Sequence, residues 1–290
     1  MFDNIFAAIE KWMRELLTGM VESNMSTMFT DVNEKTSEIA AQVGRTPQNW
    51  NSSVFSMIQN LSESVVVPIA GIIITLVLCY ELISMLTERN NLHDVDTWIF
   101  FKYFVKAWVA IYLVSNTFTI TMAVFDVGQS VVNSASGIIN GETAIDVSSL
   151  SMQMQAAMAT MEIGELVVLA LETFLVSFCM KIMSVVITVI VYGRMIEIYL
   201  YTSLAPIPFA TMSNREWGHV GTNYFRGLFA LAFQAFLMMV CVAIYAALIS
   251  SVRISSNMHS ALIGVAAYTV ILCFSLMKTG SLSKQIFGSH

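Results

Sequence analysis

Five long apolar stretches alternate with short charged segments along this chain of 290 residues. A helix needs roughly 20 apolar residues to cross the hydrocarbon core of a bilayer, and each stretch is about that long or longer. The stretches lack the in-and-out alternation of barrel strands, so they predict helices, whose backbone polar groups are paired internally. The predicted crossings are residues 64–86, 98–125, 166–192, 227–252 and 260–277.

Composition leads to the same fold class. Hydrophobic residues make up 56% of the chain, charged residues 12%, and the mean hydropathy is +0.70, whereas about 25% of a soluble domain is charged. We therefore predict an all-α fold, a polytopic α-helical membrane bundle. The net charge of −6 argues against a free nucleic-acid binder. The four cysteines fall inside predicted crossings, where we expect them to be buried apolar residues.

The distribution of charge predicts the orientation, because cytoplasmic loops of membrane proteins are enriched in Lys and Arg. Residues 126–165 contain five acidic residues and no Lys or Arg, and in residues 1–63 eight acids outnumber four bases, so both segments are expected outside. The turn between the first two crossings, the 213–226 loop and the 279–290 tail carry bases and are expected in the cytoplasm. The prediction is about five crossings within 64–278, with the N-terminus out and the C-terminus in.

The number of crossings depends on residues 165–212. As one helix, these 48 residues would extend about 72 Å, more than twice the thickness of the hydrocarbon core. In one interpretation, 166–192 crosses and 195–212 is a broken or re-entrant helix on the cytoplasmic side. In the other, 195–212 crosses by itself, which makes six crossings and places both Lys-bearing ends outside. The charge pattern favours five.

Residues 1–21 have the pattern of an amphipathic helix, in which apolar side chains recur every three or four positions and charged side chains fill the other face. The helical pattern ends at residues 44–47, which contain Gly and Pro. We expect this helix to lie on the outer leaflet or to pack on the bundle. Alternatively, its apolar face contacts a partner or a neighbouring copy.

The outward segment 126–165 has two parts. The first is rich in small and polar residues and predicts a loop, whereas 147–161 has apolar residues at helical spacing and predicts a helix. The simpler interpretation is an extracellular connector with a surface helix. The alternative is a flexible constriction around a symmetry axis, formed by Gly128, Ser130, Asn133, Ser134 and Gly137.

Four ionisable residues lie in or beside the third apolar block: Glu172, Lys181, Arg194 and Glu197. A charge inside the membrane usually faces the bundle or a water-filled space. Glu172 and Lys181 point to opposite sides of one helix, so each is expected to pair across helices or copies, whereas Arg194 and Glu197 can pair locally. The four residues form structural ion pairs in one interpretation and the polar lining of a conduit in the other.

Pro206 and Pro208 remove two backbone donors within an apolar run. They indicate either a helix end or a rigid elbow at the cytoplasmic mouth, where another component docks. No catalytic or metal-binding pattern occurs in the sequence, and the four histidines are scattered. We therefore expect neither an enzyme nor a cofactor, while membrane lipid is an expected partner and a bound phospholipid is compatible with the composition.

One stretch of the chain resembles a known family. Arg194-Met-Ile-Glu197 is followed by Leu204-Ala-Pro-Ile-Pro-Phe-Ala210, then by Trp217 and by Tyr224-Phe-Arg226, which opens a long apolar helix. This order is similar to that of TrbL-type polytopic inner-membrane proteins of type IV secretion systems, in the small form found in conjugative elements of Gram-positive bacteria. The resemblance covers roughly residues 60–278, and the short C-terminal tail departs from that of long-tailed relatives.

The resemblance implies a core subunit of a conjugation channel in the bacterial cytoplasmic membrane. Such a subunit would form a homo-oligomeric ring of roughly five or six copies, work with cytoplasmic ATPases and pass DNA or protein outward. Arg194, Glu197, Pro206 and Pro208 would shape its inner mouth. Two other functions stay open, a secondary transporter or ion channel that uses Glu172 and Lys181 as a coupling pair, and a membrane scaffold without a pore. Many secondary transporters show internal repeats, which this sequence lacks.

Overall fold

A computed structural model describes residues 2–87, 97–139, 147–252 and 258–289, and within these ranges the chain is helical and contains no strand. The described ranges contain eleven α-helices and one π-helical turn. In chain order they are α1 (Phe2–Val43), α2 (Pro47–Trp50), α3 (Ser52–Leu61), the π-helical turn (Ser62–Val66), α4 (Val67–Thr87), α5 (Thr97–Ser115), α6 (Thr117–Ile139), α7 (Val147–Met158), α8 (Ile163–Ser203), α9 (Pro206–Thr211), α10 (Gly218–Ser250) and α11 (Met258–Phe287).

The helices confirm the predicted fold class, an all-α polytopic membrane bundle. By length and composition, four helical stretches in the described part are apolar enough to cross a membrane: Ser52–Thr87, Ile163–Ser203, Gly218–Ser250 and Met258–Phe287. A fifth candidate is the bent pair of Phe100–Ser115 and Thr117–Ser136, if both helices belong to one span. The count of five crossings therefore depends on this pair.

The second predicted crossing, 98–125, is broken where the sequence indicated a continuous helix. The axes of α5 and α6 differ by 70° across Asn116. The Asn116 side chain donates to the Tyr112 carbonyl at 2.9 Å, and an Asn side chain that bonds to the backbone competes with helical hydrogen bonding. Hydropathy missed this break because one Asn hardly changes the average over an apolar run.

The first part of the predicted outward loop is also a helix. Gly128, Ser130, Asn133 and Ser134 lie on α6, which continues to Ile139 and so includes position 137 in its backbone. Gln129 donates to the Gly44 carbonyl at 2.7 Å, a tertiary contact that fixes this helix. Residues 140–146 of the predicted loop lie outside the described residues. The predicted helix within 147–161 is present as α7.

The third apolar block forms one continuous helix instead of either arrangement expected for 165–212. At 41 residues, α8 extends about 62 Å, and it passes through residues 192–195 without a break. The residues from Met195 to Ser203 therefore belong to α8 and do not form a separate crossing, which removes the basis for six. Only the six residues of α9 stand apart, after a break at Leu204 and Ala205.

At the N-terminus, α1 has 42 residues and ends at Val43, at the predicted break. Thr46 then caps α2 by accepting from the Asn49 amide at 3.3 Å, and Pro47 occupies the first helical position, where a missing amide proton costs little. Most large apolar residues of α1 up to Met20 are exposed, whereas from Val21 onward they are buried. The predicted role of this exposed face, on the leaflet or against a partner, stays a prediction.

The chain divides into two compact units. Unit 1 comprises Met1–Val43, Ser134–Val191 and Met238–Lys278, and unit 2 comprises Gly44–Asn133, Tyr192–Leu237 and Thr279–His290. In unit 1, buried apolar side chains come from α1, α7, α8, α10 and α11. Its helices are joined by polar contacts, among them a bond from Arg14 Nη1 to the Met161 carbonyl at 2.8 Å and a buried bond of 2.8 Å between the Tyr245 and Thr269 hydroxyls.

The core of unit 2 is built around the segment that follows α8. Ala205, Phe209 and Ala210 are buried there with side chains of α4, α5 and α10. A second cluster joins α6, α8 and α10 through residues such as Phe125, Met195 and Leu228. The two clusters hold the end of α8 and the start of α10 in a fixed arrangement, which positions the candidate site.

Candidate functional site

The candidate site is centred on an elbow, here defined as residues 204–211, which links α8 to the loop before α10. Pro206 begins α9, so its missing amide proton falls at a position that needs no intrahelical partner. Pro206 is buried and Pro208 is half-buried. The two prolines thus lie in a turn that follows the end of α8 and is packed into unit 2. This geometry fits both the helix end and the rigid elbow, and docking of another component there stays a prediction.

Two tyrosines clamp the end of α8, just before the elbow, to α10. The rings of Tyr201 and Tyr224 stack with centroids 4.4 Å apart and planes inclined by 6°. Each hydroxyl donates to the other residue's carbonyl, Tyr201 to Tyr224 at 3.1 Å and Tyr224 to Tyr201 at 2.8 Å. Because both polar groups are satisfied and both rings are packed, this pair fixes the end of α8 relative to α10.

Two glycines of α10 allow this close approach. A Cβ atom added at Gly221 would lie 2.4 Å from the Pro208 carbonyl oxygen and 2.1 Å from Met212 Cγ. One added at Gly227 would lie 2.1 Å from the Tyr201 hydroxyl. Only glycine fits the present spacing at either position, so the sequence of α10 is matched to the elbow.

A cluster of charged and polar side chains lies in the same unit, where α4, α5 and the loop after α9 meet. Glu81, only 6% exposed, pairs with Lys106 at 2.5 Å and accepts from Asn214 Nδ2 at 3.4 Å. The Asn214 side-chain oxygen accepts from the amides of Glu216 and Trp217 at 2.7 and 3.0 Å. The buried carboxylate therefore has both a cation and a hydrogen-bond donor, as such a charge requires.

A recess opens beside this cluster. Its volume is about 360 Å³, and all but one of its lining residues have a polar or charged side chain. On its rim, the Tyr80 hydroxyl donates to Glu216 at 3.0 Å and the Tyr80 ring stacks on Trp217 with centroids 5.7 Å apart. We call it the polar recess; it is lined by Tyr80, Glu81, Ser84, Met85, Asn214, Arg215 and Glu216.

Sequence reasoning missed the Glu81–Lys106 pair. Glu81 lies near the end of the first apolar run, and Lys106 lies near the start of the second. A signal was present, because consecutive antiparallel helices bring the end of one beside the start of the next. An acid and a base at these two positions are therefore candidates for a cross-helix pair.

Arg194 and Glu197 both lie on the unit 2 part of α8, but they do not form the local pair that their spacing suggested. Glu197 pairs with Lys284 of α11 at 3.0 Å. Arg194 is 7% exposed and donates from Nη2 to the Leu231 carbonyl at 3.4 Å. Its Nε has no hydrogen-bond partner among the described residues. The expectation of a local pair failed because tertiary neighbours compete for both side chains.

Glu172 and Lys181 belong to unit 1. Glu172 pairs with His259 of α11, so it finds its partner across helices as expected. Lys181 is exposed on α8 and makes no hydrogen bond or ion pair with any described residue. The two residues do not pair with each other.

The small residues predicted to form an outer constriction differ in exposure. Gly128 is buried, and an added Cβ would lie 2.9 Å from the Ala232 carbonyl oxygen, so it allows α6 to approach α10. Ser130, Asn133 and Ser134 are exposed on α6, and Gly137 lies further along the same helix. Their role in a constriction stays a prediction.

No group of three metal-binding side chains occurs in the part of the chain that the structure describes. The four cysteines are free thiols. Only Cys273 is buried, whereas Cys79 and Cys179 are exposed on helix surfaces, which corrects the expectation of four buried cysteines. In a membrane protein, a thiol costs as little free energy on a lipid-facing surface as in the core, because both surroundings are apolar.

Comparison with known proteins identifies a family. No curated protein and no solved structure matches the chain. The family described as "TrbL/VirB6 plasmid conjugal transfer like protein" matches residues 32–206. This range includes Arg194, Glu197 and Pro206, whereas Pro208, Trp217 and Tyr224 lie beyond it.

The match covers well over half of the chain and ends at the elbow. The family is a structural part of conjugation and is not known for enzymatic activity. Together with the membrane-spanning helices, it indicates a multi-pass membrane protein that takes part in conjugal transfer with other type IV secretion components. The chain belongs to the TrbL/VirB6 plasmid conjugal transfer-like family.

Proposed function

We propose that this protein is a membrane-embedded core subunit of a conjugative type IV secretion channel and contributes to the conduit for DNA or protein. The observation that supports this role best is the elbow with its polar recess. A rigidly packed turn beside an open, charged cavity is suited to hold a second protein, and it occurs here in a chain of a conjugation family. We place the protein in the bacterial cytoplasmic membrane.

The partners we propose at the recess are the other secretion components on the cytoplasmic side, including the ATPases that supply energy. Arg215 and Glu216 are exposed on the wall of the recess, where they can form charge pairs with a docked protein. The buried Glu81 and Asn214 hold the loop in shape beneath them. Docking would thus depend on surface charges carried by a fixed loop.

The subunits are proposed to assemble as a homo-oligomeric ring of roughly five or six copies around the conduit. In the most apolar stretch of α8, only 22% of the residues are buried within one chain. Its remaining surface must be covered by lipid or by neighbouring copies, because apolar side chains avoid water. Bound phospholipid between copies is part of this proposal.

The transporter alternative would use Glu172 and Lys181 as a coupling pair. In unit 1 Glu172 pairs with His259 of α11, a contact that does not distinguish a transporter from a channel. No contact in the described part of the chain favours the scaffold alternative over the channel.

Deletion of the gene from a conjugative donor tests the function. We expect transfer to be lost and to return with the wild-type gene. With Arg215→Glu or Glu216→Arg in place of the wild type, we expect transfer to return only in part, to about one tenth of the wild-type frequency or less, because a loss of ~1.4 kcal/mol in docking lowers the docking constant tenfold. Lys11→Glu is the control, because Lys11 is exposed on α1 and, among the residues that the structure describes, its ion-pair partner is Glu15, at 4.0 Å. Transfer that persists without the gene would overturn the proposal, and native mass measurement of the purified protein tests the ring.

A further inference from the structure

The second half of α1 is amphipathic, with its apolar side buried and its polar side exposed. Between Val21 and Val43, its apolar side chains form one buried stripe, each no more than 5% exposed: Val21, Met25, Met28, Phe29, Val32, Ile39 and Val43. Its exposed positions are polar or small, chiefly Ser23, Thr27, Thr30, Glu34 and Ser37. The last large apolar residue exposed on α1 is Met20. The outward face of this segment is therefore suited to water.

The neighbouring part of α8 has the opposite surface. Asn24 donates to the Thr173 hydroxyl at 3.4 Å and Lys35 to the Thr188 hydroxyl at 3.3 Å, so α1 and α8 run side by side within unit 1. Between these two contacts α8 exposes large apolar side chains, including Phe178 at 57% and Val185 at 64%. Residues 174–191 contain a single charge, at Lys181.

The polar face of α1 and the apolar face of α8 lie side by side within unit 1, and neither water nor lipid suits both faces. In water, the α8 face would be a contiguous exposed apolar patch, which stable soluble surfaces avoid. In lipid, the α1 face would place Glu34 and several hydroxyls in hydrocarbon without partners. Unit 1 must therefore meet lipid or apolar protein on the α8 side and water on the α1 side.

The length of the segment fits a bilayer. The 23 residues from Val21 to Val43 extend about 34 Å as a helix, close to the ~30 Å hydrocarbon core. Hydropathy does not identify this segment as a crossing, because half of its surface is polar. A helix of this kind is tolerated at membrane depth where its polar face lines a water-filled space or is buried against protein, and within this chain the polar face is exposed.

We propose that the segment Val21–Val43 of α1 is the pore-lining helix of the channel, with its Ser, Thr and Glu34 face turned toward the aqueous conduit and α8 turned toward lipid or neighbouring copies. The proposal rests on the proposed channel function and places part of residues 1–63 at membrane depth instead of outside. The segment has four carboxylates and one lysine. The net charge of the segment is therefore negative, which favours cations over a bare polyanion in the space that it lines.

Cysteine accessibility in a cysteine-free background tests the proposal. The four native cysteines are replaced by Ala, and transfer and membrane abundance are first shown to be retained. Single cysteines are then placed on the α1 face (Thr30→Cys, Ser37→Cys) and, as matched controls, on the α8 face (Phe178→Cys, Val185→Cys). All four positions are exposed, so folding should be preserved. A charged methanethiosulfonate is then added to permeabilised membranes, so that the reagent reaches both sides of the bilayer.

We expect the α1 cysteines to react at least about tenfold faster than the α8 cysteines, because the reactive thiolate forms in water and not in an apolar medium. In donor cells, a bulky thiol reagent should also lower transfer through the α1 variants. Equal, fast reaction on both faces would show that unit 1 lies in water and would overturn the proposal. Slow reaction on both faces would show that another chain covers α1, which also overturns it.

A fast-reacting α1 face whose modification leaves transfer unchanged would overturn the conduit assignment, although the face would still be wet. The gene deletion separates these outcomes from failure of the channel function. If deletion leaves transfer intact, the function is wrong whatever the labelling shows. If deletion abolishes transfer and the two faces fail to differ, only the pore-lining assignment is wrong.

Discussion

Replacing Gly221 by Ala is a sharp test of the elbow, because the added atom meets backbone. The new Cβ would lie 2.4 Å from the Pro208 carbonyl oxygen. The Met212 side chain, 2.1 Å away at Cγ, can rotate aside, but the carbonyl belongs to α9, which is held in the core by Ala205 and Phe209. The clash can be relieved only if α10 and the elbow separate.

The size of the effect follows from the distances. Ordinary Cβ contacts begin at 3.4 Å, so the two backbones must separate by about 1 Å (3.4 − 2.4). Overpacking of this kind typically costs about 1–3 kcal/mol, and the better helix propensity of Ala returns up to ~1 kcal/mol. The expected net loss is about 1–2 kcal/mol, or a fall in Tm of roughly 2–6 °C for a chain of this size.

This loss is measured as a change in Tm. Detergent-solubilised protein is heated to a series of temperatures, and size-exclusion chromatography then quantifies the folded protein that remains. Gly193→Ala is the matched control, since it is also a helix glycine and a Cβ there meets nothing within 4 Å. We expect its Tm to equal or exceed that of the wild type. Conjugation frequency measured on the same variants should fall for Gly221→Ala alone.

The reasoning is refuted if Gly221→Ala and Gly193→Ala have the same Tm and the same transfer frequency. That result would mean that α10 and the elbow are not in the tight contact described here. A loss of Tm with unchanged transfer would confirm the contact but show that its geometry is not critical for function.

Three further predictions concern charge, hydrogen bonding and orientation. Lys106→Met leaves a buried carboxylate without its cation and should lower the free energy of unfolding by about 1–3 kcal/mol. This is below the usual ~3–5 kcal/mol for a buried pair, because Lys106 is itself 36% exposed. Lys284→Met, in an exposed pair, should lower it by no more than ~1 kcal/mol, and Tm measurements compare the two variants. Tyr224→Phe removes one hydrogen bond of the elbow clamp and should cost about 0.5–1.5 kcal/mol, measurable in the same assay. In a cysteine-free background, Ser136→Cys should react with an impermeant reagent applied to intact cells and Ser213→Cys should not; the reverse pattern would contradict the N-out, C-in orientation.

The helices of this protein could be predicted from sequence wherever apolar length decided the outcome. Hydropathy located α4, α10 and α11, since a long apolar run has few alternatives to a membrane helix. Gly44 and Pro47 also marked the end of α1 correctly. These features depend on local properties of the chain.

The errors occurred where weak local preferences met tertiary contacts. The Gly, Ser and Asn residues of 126–139 suggested a loop, yet α6 passes through them. Each such residue disfavours a helix by only about 1 kcal/mol or less, so packing of Gly128 against α10 and the bond from Gln129 can prevail. Conversely, Asn116 breaks a run that hydropathy presented as continuous.

The candidate site was half visible in the sequence. Pro206 and Pro208 indicated an elbow, because a missing amide proton acts at its own position. The partners of the charged residues were not visible: Glu197 bonds to Lys284, and Glu81 to Lys106. Sequence spacing reveals only neighbours on the same helix, while these pairs join residues that are far apart in the chain.

By itself, the sequence determined that this chain is an α-helical membrane protein, because the cost of unpaired backbone in lipid applies to any arrangement of the helices. It also indicated a helix end or an elbow at the two prolines. Only the tertiary structure decided which charges pair, which glycines allow close approach, and that the second half of α1 turns a polar face outward beside the apolar face of α8. The reason is physical. Burial and pairing depend on which surfaces meet, and that is a property of the packed helices rather than of any one of them.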